Sequence, residues 1–507
     1  MKKRNDLFDL IKLMTRQEKR YFKIYASTHK SGEHNCIRLF DAIDATEHYD
    51  EKELRRSLKG AKFTRQLGVQ KGYLYDLILR SLREYRSGES VHVRINELLH
   101  GVKILYGKGL YSQGLDLAMK AGELAENYEK LPKMLEVINW EINLAFAMAD
   151  MPALTRLAGK LRSVQDRLDN LEHYSQLLLR MVTLERAGGS PCGTESPGCT
   201  EAIMSDPLLQ SEHRAISIDA GRYFLTIHGI YHRRRGEWER AYEYQLRNLR
   251  CIESRPDHIA DEPRIYVSAL IDVIVSSSQL RKYSEAERHI EILESLDIEE
   301  AYWKARVFYV VRMHRLFQSR WNQDFSGGAG LAREILADLW RHEQHIEPDN
   351  RKILLFTMAY MLFGDGDYSS AIRCINIILN EIQRDIRAEL DYPVMIMELM
   401  IHYELGHDDL IASSVRSRLR ALRATREDYR LEEFLLLLLG RLVRSAPDER
   451  CGLFREARDR LSAMAAGDAP SGLPRYIDVD AWIDGRIRGM NYGEALRGKI
   501  EPEAYAH

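Results

Sequence analysis

Several groups of residues in this 507-residue chain have types and spacings that could do chemistry. His228 and His232 stand four apart, the interval that puts two imidazoles on one helical face for Zn²⁺. The local sequence supplies no further ligands, so packing is the preferred reading of that pair. His342-Glu343-Gln344-His345 lacks the i, i+4 histidine pair of a zinc protease. His402 and His407 flank a turn, and Cys192 and Cys199 are too far apart for the usual C-x₂₋₄-C zinc spacing. Gly364-Asp365-Gly366-Asp367 has neither the alternating ligands of a calcium loop nor the lysine of a phosphate loop. There is no nucleophile elbow and no Walker segment, so no catalytic residue, metal or cofactor is expected.

A different chemistry is suggested by residues 63 to 78, FTRQLGVQKGYLYDLI. They could form a helix-turn-helix, with a first helix ending at Leu67, Gly68 at the turn, Val69 packed, and Leu74 and Leu77 facing inward. Gln70, Lys71 and Tyr73 would then open the recognition helix, where base edges are read. The alternative is a helical hairpin that caps the rest of the chain, and Gly72 weakens a recognition helix. Charge is asymmetric in the same direction. The first ninety residues carry 20 Lys/Arg against 13 Asp/Glu, a surplus of +7, and the remainder carries 54 against 63, for a net charge of −2 overall.

Such residues need elements to hold them, and the composition points to helices. Proline is scarce, 13 of 507, and charged residues reach 30%, which favours long helices over strands and turns. Apolar residues recur at three- and four-residue intervals from about residue 5 to 465, as in 135–149 and 351–363, without sustained strand alternation. The expected fold class is all-α. Six dispersed cysteines argue against a disulfide-stapled secreted domain. The opening MKKRNDLFDLIKLM lacks a signal peptide's apolar core, and the longest apolar run, Phe434 to Leu439, is far short of the ~20 residues that span a bilayer. A cytoplasmic location without a membrane partner is expected. Gly/Pro/Ser-dense stretches at 187–200 and 465–474 read as loops, the second preceding a helix around Trp482.

Residues 354 to 379 carry a family likeness: a first helix, a turn at Gly366-Asp367-Tyr368, then the small Ala371. This unit resembles a tetratricopeptide repeat. A second match runs through Gly229, the turn at Gly236 to Trp238, and Ala241; weaker ones carry Tyr283 and Ala286, Gly109 and Gly114, and Gly406. Turn positions at 109, 236, 281, 366 and 406 fit a step of about 42 residues, longer than the family's usual period, with further turns expected near 151, 193 and 323. The N-terminal FDLIKLMTRQEKRYFKIYA and FTRQLGVQKGYLYDLILRSLREY, joined to such a body, look like an uncharacterised bacterial helical-repeat group, a likeness that implies a fold and no activity.

The resemblance implies a right-handed solenoid of about eight degenerate helical hairpins over residues 96–464, with a basic helical module at 1–95 and a loop and closing helix at 465–507. It also implies that the first helix of each pair faces a concave groove. Tyr223, Arg233, Arg234, Arg312, Arg320 and Tyr360 would line it, aromatic anchors beside arginines, the residue types that dominate binding hot spots. The function expected on these grounds is a non-catalytic protein-interaction scaffold that takes a protein or acidic peptide segment. The rival is a transcriptional or RNA regulator that binds nucleic acid through Gln70, Lys71 and Tyr73 and senses a partner through its repeats.

Overall fold

The computed structural model describes residues 6–28, 33–46, 49–58, 66–85, 90–187, 198–298, 300–342, 344–382, 386–424, 429–465, 473 and 476–499. Among these residues all regular structure is helical, as the periodicity predicts. The chain forms two compact units, Met1–Asp169 and Asn170–His507. The first holds α1 (Asp6–Leu13), α2 (Arg16–Thr28), α3 (Glu33–Asp44), α4 (Glu51–Ser57), α5 (Leu67–Tyr85), α6 (Val91–Gly107), α7 (Tyr111–Asn127), α8 (Leu131–Ala147) and the start of α9 (Met151–Ala187). The second contains the rest of α9, then α10 (Cys199–Met204), α11 (Ile218–Arg234), α12 (Trp238–Glu253), α13 (Pro256–Asp261), α14 (Pro263–Gln279), α15 (Tyr283–Ser295), α16 (Ala301–Trp321) and α17 (Phe325–Asp338). It continues with α18 (Pro348–Asp365), α19 (Tyr368–Glu381), α20 (Asp391–Glu404), α21 (Asp408–Ala424), α22 (Arg430–Leu442), α23 (Arg450–Ala465), α24 (Val479–Arg488) and α25 (Tyr492–Arg497). No helix among the described residues is long and apolar enough to cross a membrane.

In the first unit α2, α3 and α5 meet around Phe22, Phe40, Leu74 and Ile78, all buried, with the two phenyl rings 4.7 Å apart. Beyond them α6, α7 and α8 pack on one another in sequence order. The second unit follows the same habit: α11 on α12, α14 on α15, α17 on α18, α18 on α19. Each helix buries an apolar stripe on its sequence neighbours, which is how amphipathic helices gain most of their stability.

One turn geometry recurs between many of the helices that follow one another in the chain. Gly109, Glu129, Ala149, Gly236, Arg281, Gln323, Gly366 and Gly406 all have positive φ. At each, the N–H of the following residue reaches back over the turn; Asp367 donates to the Leu362 carbonyl at 2.9 Å, and Lys282 to Ser277 at 2.9 Å. These bonds satisfy carbonyls that a helix C-terminus leaves open, the Schellman arrangement. Gly366, at φ 88°, adopts this conformation without a Cβ clash. The residue five positions on is Gly114, Ala241, Ala286, Gly328 or Ala371 at five of the eight turns, and the three alanines are fully buried. Turns therefore stand at the sequence-derived positions 109, 236, 281, 366 and 406; those expected near 151 and 323 centre on Ala149 and Gln323. The one expected near 193 lies outside the described residues, as do Cys192 and most of both Gly/Pro-rich stretches. The turn at Glu129 was not anticipated, because nothing in its composition punctuates the chain.

The densest packing surrounds α18, twelve of whose 18 residues are buried. Leu355, Met358, Ala359 and Leu362 lie inward on α18, and Ile375 and Ile378 on α19, and Tyr360, expected to line an open groove, is buried along with them. Gly364 and Gly493 let α18 and α25 close on the Phe325 ring: a Cβ on Gly364 would lie 2.0 Å from Phe325 Cδ1, and one on Gly493 would lie 2.5 Å from the Gly364 carbonyl. Trp482 on α24 is buried against Tyr403 and Phe454, and its indole N–H donates to Glu404 at 2.8 Å. At the other end of α18 the buried Lys352 ammonium donates to the carbonyls of Ile386 (2.7 Å) and Arg387 (3.2 Å) and to Asp391 (2.6 Å), which satisfies all three of its protons.

These contacts set expected stabilities. Gly364→Ala overpacks the Phe325 contact and should cost roughly 1–3 kcal/mol; Ala371→Arg adds a buried charge to the same kind of insult and should cost more. Gly72 meets nothing within 4 Å, so Gly72→Ala should instead stabilise α5 by up to about 1 kcal/mol. Urea denaturation of the three variants checks the signs. Lys352→Met strands two carbonyls and a carboxylate and should cost roughly 2–3 kcal/mol, less than the ~3–5 of a fully buried pair because Asp391 keeps some solvent; an unchanged midpoint would contradict the clamp.

Candidate functional site

The second unit contains a cavity of about 640 Å³ at the turn end of α14, α16 and α18. Ser278 and Gln279 come from the last turn of α14, Arg281 from the turn itself and Tyr283 from the start of α15. Phe317, Arg320 and Trp321 come from the end of α16, Gln323 from the turn after it, Tyr360 from α18 and Leu496 from α25. Converging helix ends build such a place because a helix terminus points its last side chains past the packed core. Helix spacing near 10 Å then leaves a gap that only long residues reach across.

Two guanidinium groups are held on aromatic faces there. The Arg281 guanidinium carbon lies 3.1 Å from the centre of the Trp321 ring, and that of Arg320 lies 4.4 Å from the Tyr360 ring. Cation–π contacts of this kind contribute on the order of 0.5–2 kcal/mol and fix the plane of the guanidinium, leaving its N–H edges to face outward. Arg320 also donates to the Tyr476 carbonyl at 3.1 Å. No carboxylate of the described residues pairs with Arg281. Tyr360 is held from behind by Tyr492, whose hydroxyl donates to it at 3.4 Å and accepts from the Asp478 N–H at 3.0 Å; burial raises the Tyr492 hydroxyl well above the usual tyrosine range. Burial likewise raises Tyr283, with Arg281 opposing.

Behind the wall sit Ser278, His314 and Glu287, the residue types of a hydrolytic triad, in an order that does not activate the serine. Ser278 Oγ is 2.6 Å from the Ile274 carbonyl, which can only accept, so its single proton goes there. His314 Nδ1, also 2.6 Å from Oγ, must then be the donor. Its Nε2 faces Glu287 at 3.7 Å, and Glu287 is itself bonded to Arg315. A nucleophilic serine needs the reverse direction of proton flow. His314 is buried and desolvation lowers its pKa, with Glu287 opposing, so the ring is neutral near pH 7.

Of the residues assigned to a groove from sequence, Arg320 and Tyr360 meet at this cavity. The others lie elsewhere. Arg233 is bound by Glu185 at 2.8 Å through Nε and by Asp272 at 3.5 Å; desolvation pulls its pKa down, but these two carboxylates more than offset it. Arg234 donates to the Leu184 carbonyl, Arg312 lies over the Phe308 ring at 5.7 Å, and Tyr223 is half-buried against the α9–α11 core. The sequence reading did not assign Arg281, Trp321 or Gln323 to a site. Their signal was available: Arg281 and Gln323 occupy left-handed turn positions where the other turns of this kind in the second unit, at 236, 366 and 406, have glycine.

The nucleic-acid candidates Gln70, Lys71 and Tyr73 lie in the first two turns of α5. Gly68 is inside that helix and not at a turn, and Val69 is exposed where packing was expected; Leu74 and Leu77 do face inward. Residues 63–65 lie outside the described residues. Lys71 lies over the Tyr49 ring and donates to Glu51 at 3.1 Å, and Glu51 is pulled down to about 2 by this bond and one to Arg55. His228 donates from Nε2 to the Leu209 carbonyl at 3.1 Å and stacks on Tyr244, while His232 pairs with Glu237 at 2.7 Å. His342 stacks on Phe308; Glu343 lies outside the described residues. His402 and His407 meet through their Nδ1 atoms at 3.0 Å. Among the described residues no group of three or more His, Cys, Asp or Glu could hold a metal ion.

The buried histidines give the fold an acid-side dependence. Desolvation holds His228 and His314 below their unfolded value near 6.5, so the folded state binds fewer protons as pH falls through that range. Their contribution is present above about pH 6.5 and lost as pH falls through the folded values. Glu51 and Glu237, held at about 2, lose theirs only at pH below about 4.5. The melting temperature should therefore fall between about pH 7 and pH 5, and His314→Gln should flatten that slope; a slope unchanged in His314→Gln and in His228→Gln would contradict the assignment.

No family model matches the chain, and no curated protein and no solved structure matches it, so the reading of the site rests on its own geometry.

Proposed function

We propose that the chain is a non-catalytic, tetratricopeptide-like scaffold whose helical hairpins stack as a solenoid and hold an acidic segment of a partner protein. The observation that carries this reading is the pair Arg281 and Arg320, each laid on an aromatic ring at the rim of one cavity, with no carboxylate of the described residues on Arg281. Guanidinium groups prealigned in this way bind carboxylates through paired hydrogen bonds, each charge-assisted and roughly twice as strong as a neutral one. The recurrence of one turn geometry along the helices supports the repeat part of the reading, since stacked hairpins depend on their neighbours for a core. The Ser278 proton directed to a backbone carbonyl supports the non-catalytic part.

Recovery of tagged full-length protein from a lysate of its own host, with and without nuclease, tests the reading against the nucleic-acid alternative. Protein partners should persist after nuclease treatment, and Arg281→Glu combined with Arg320→Glu should reduce the principal partner about tenfold or more while helix content stays unchanged. Recovery of nucleic acid alone, or full partner recovery by the double variant, would overturn it.

A further inference from the structure

The turns of the second unit separate into two kinds. Gly236, Gly366 and Gly406 meet the positive φ of the Schellman turn with no side chain at all. Arg281 at φ 61° and Gln323 at φ 53° do so against the resistance of a Cβ, and both line the same cavity. The other non-glycine residues in this conformation are accounted for within the chain. Glu129 pairs with Arg167, Arg387 pairs with Glu389 at 3.2 Å, and Ala149 carries no functional group. Arg281 has no carboxylate partner among the described residues, and the Gln323 amide forms no side-chain hydrogen bond among them. A strained position with a long polar side chain that lines a cavity and finds no hydrogen-bond partner among the described residues, Arg281 having only the Trp321 ring, points to a ligand outside the protein.

We infer that this cavity is the anchor of the proposed partner segment: it takes a side-chain carboxylate on Arg281, flanked by an aromatic or aliphatic residue against Phe317, Trp321 and Leu496. The inference rests on the partner-binding reading and narrows it to one chemical signature, an acidic residue next to an apolar one. The volume of about 640 Å³ suits two residues of peptide and lies within the range of small-ligand sites. Gln279 and Gln323 supply amides at the rim that match the peptide groups on either side. A single guanidinium lacking a carboxylate matches a single negative charge, whereas the second charge of a phosphate would meet Arg320, one edge of which is already given to the Tyr476 carbonyl.

The test uses the full chain and defined probes: N-acetyl-Asp-Phe-amide, N-acetyl-Asn-Phe-amide, inorganic phosphate and adenosine monophosphate, each titrated by calorimetry. The Asp probe should bind at least about tenfold more tightly than the Asn probe, the discrimination expected when a charge-assisted hydrogen bond is lost. Arg281→Gly relieves the backbone at φ 61° and gives up the contact with Trp321, two effects of similar size and opposite sign, so it should change the melting temperature little while abolishing that preference. Equal affinity for the two dipeptides, no binding of the Asp probe, tighter binding of phosphate or the nucleotide, or an unchanged preference in Arg281→Gly would each overturn the anchor. Partner recovery from lysate that survives Arg281→Gly would overturn the anchor and leave the scaffold reading standing. Asp-probe binding with no protein partner recovered would do the opposite.

Discussion

Helix C-termini leave carbonyl groups that must find donors, and this protein meets that need repeatedly with one left-handed residue whose successor reaches back over the turn. The constraint reaches far beyond the turns. Once the chain reverses in this way, the next helix starts at a set distance and angle, and the residue five positions on faces the helix just completed. That is why glycine or alanine stands there at Gly114, Ala241, Ala286, Gly328 and Ala371. Where the two helices pack that closely a larger side chain would push them apart, and the turns at Glu129, Ala149 and Gly406 carry Met134, Leu154 and Ile411 at the same position.

The same turns decide where function can be placed. A left-handed position is cheapest for glycine, so turns that only reverse the chain use it. Where the position bears Arg281 or Gln323 the turn becomes a platform, projecting a side chain beyond the packed helices while its backbone is held by hydrogen bonds on both sides. Trp321 and Tyr360 then restrain the guanidinium groups, so less side-chain freedom would be left to be lost on binding the proposed carboxylate. Rigidity comes from behind as well: Tyr360 is backed by Tyr492, and Tyr492 sits where Gly364 and Gly493 allow α18 and α25 to close on Phe325.

Charge follows a related rule. Many arginines among the described residues of the second unit answer a carboxylate or a carbonyl inside the chain: Arg233 to Glu185 and Asp272, Arg418 to Glu398, Arg450 to Asp408. Composition could not show this, because a basic run such as His232-Arg233-Arg234-Arg235 looks alike whether it faces solvent or a buried acid. In the first unit the surplus of positive charge is likewise partly answered locally, by Asp44 on Lys19 and Glu51 on Lys71.

How much of this was legible in the sequence differs by the kind of information involved. Helical class, the buried faces of α18 and α19, and the turns at Gly109, Gly236, Gly366 and Gly406 follow from periodicity and from glycine's freedom at positive φ, which are local properties carried by a few consecutive residues. The turns at Ala149 and Gln323 were reachable only by extrapolating a spacing, and the one at Glu129 not at all, because hydrogen bonds over the turn impose a conformation that those residues do not prefer. The cavity belongs entirely to tertiary structure. Arg281, Arg320, Tyr360 and Leu496 come from four separate places in the chain, and whether an arginine meets an aromatic face, a buried glutamate or open space depends on which helix packs beside it, a relation that no local pattern of residues encodes.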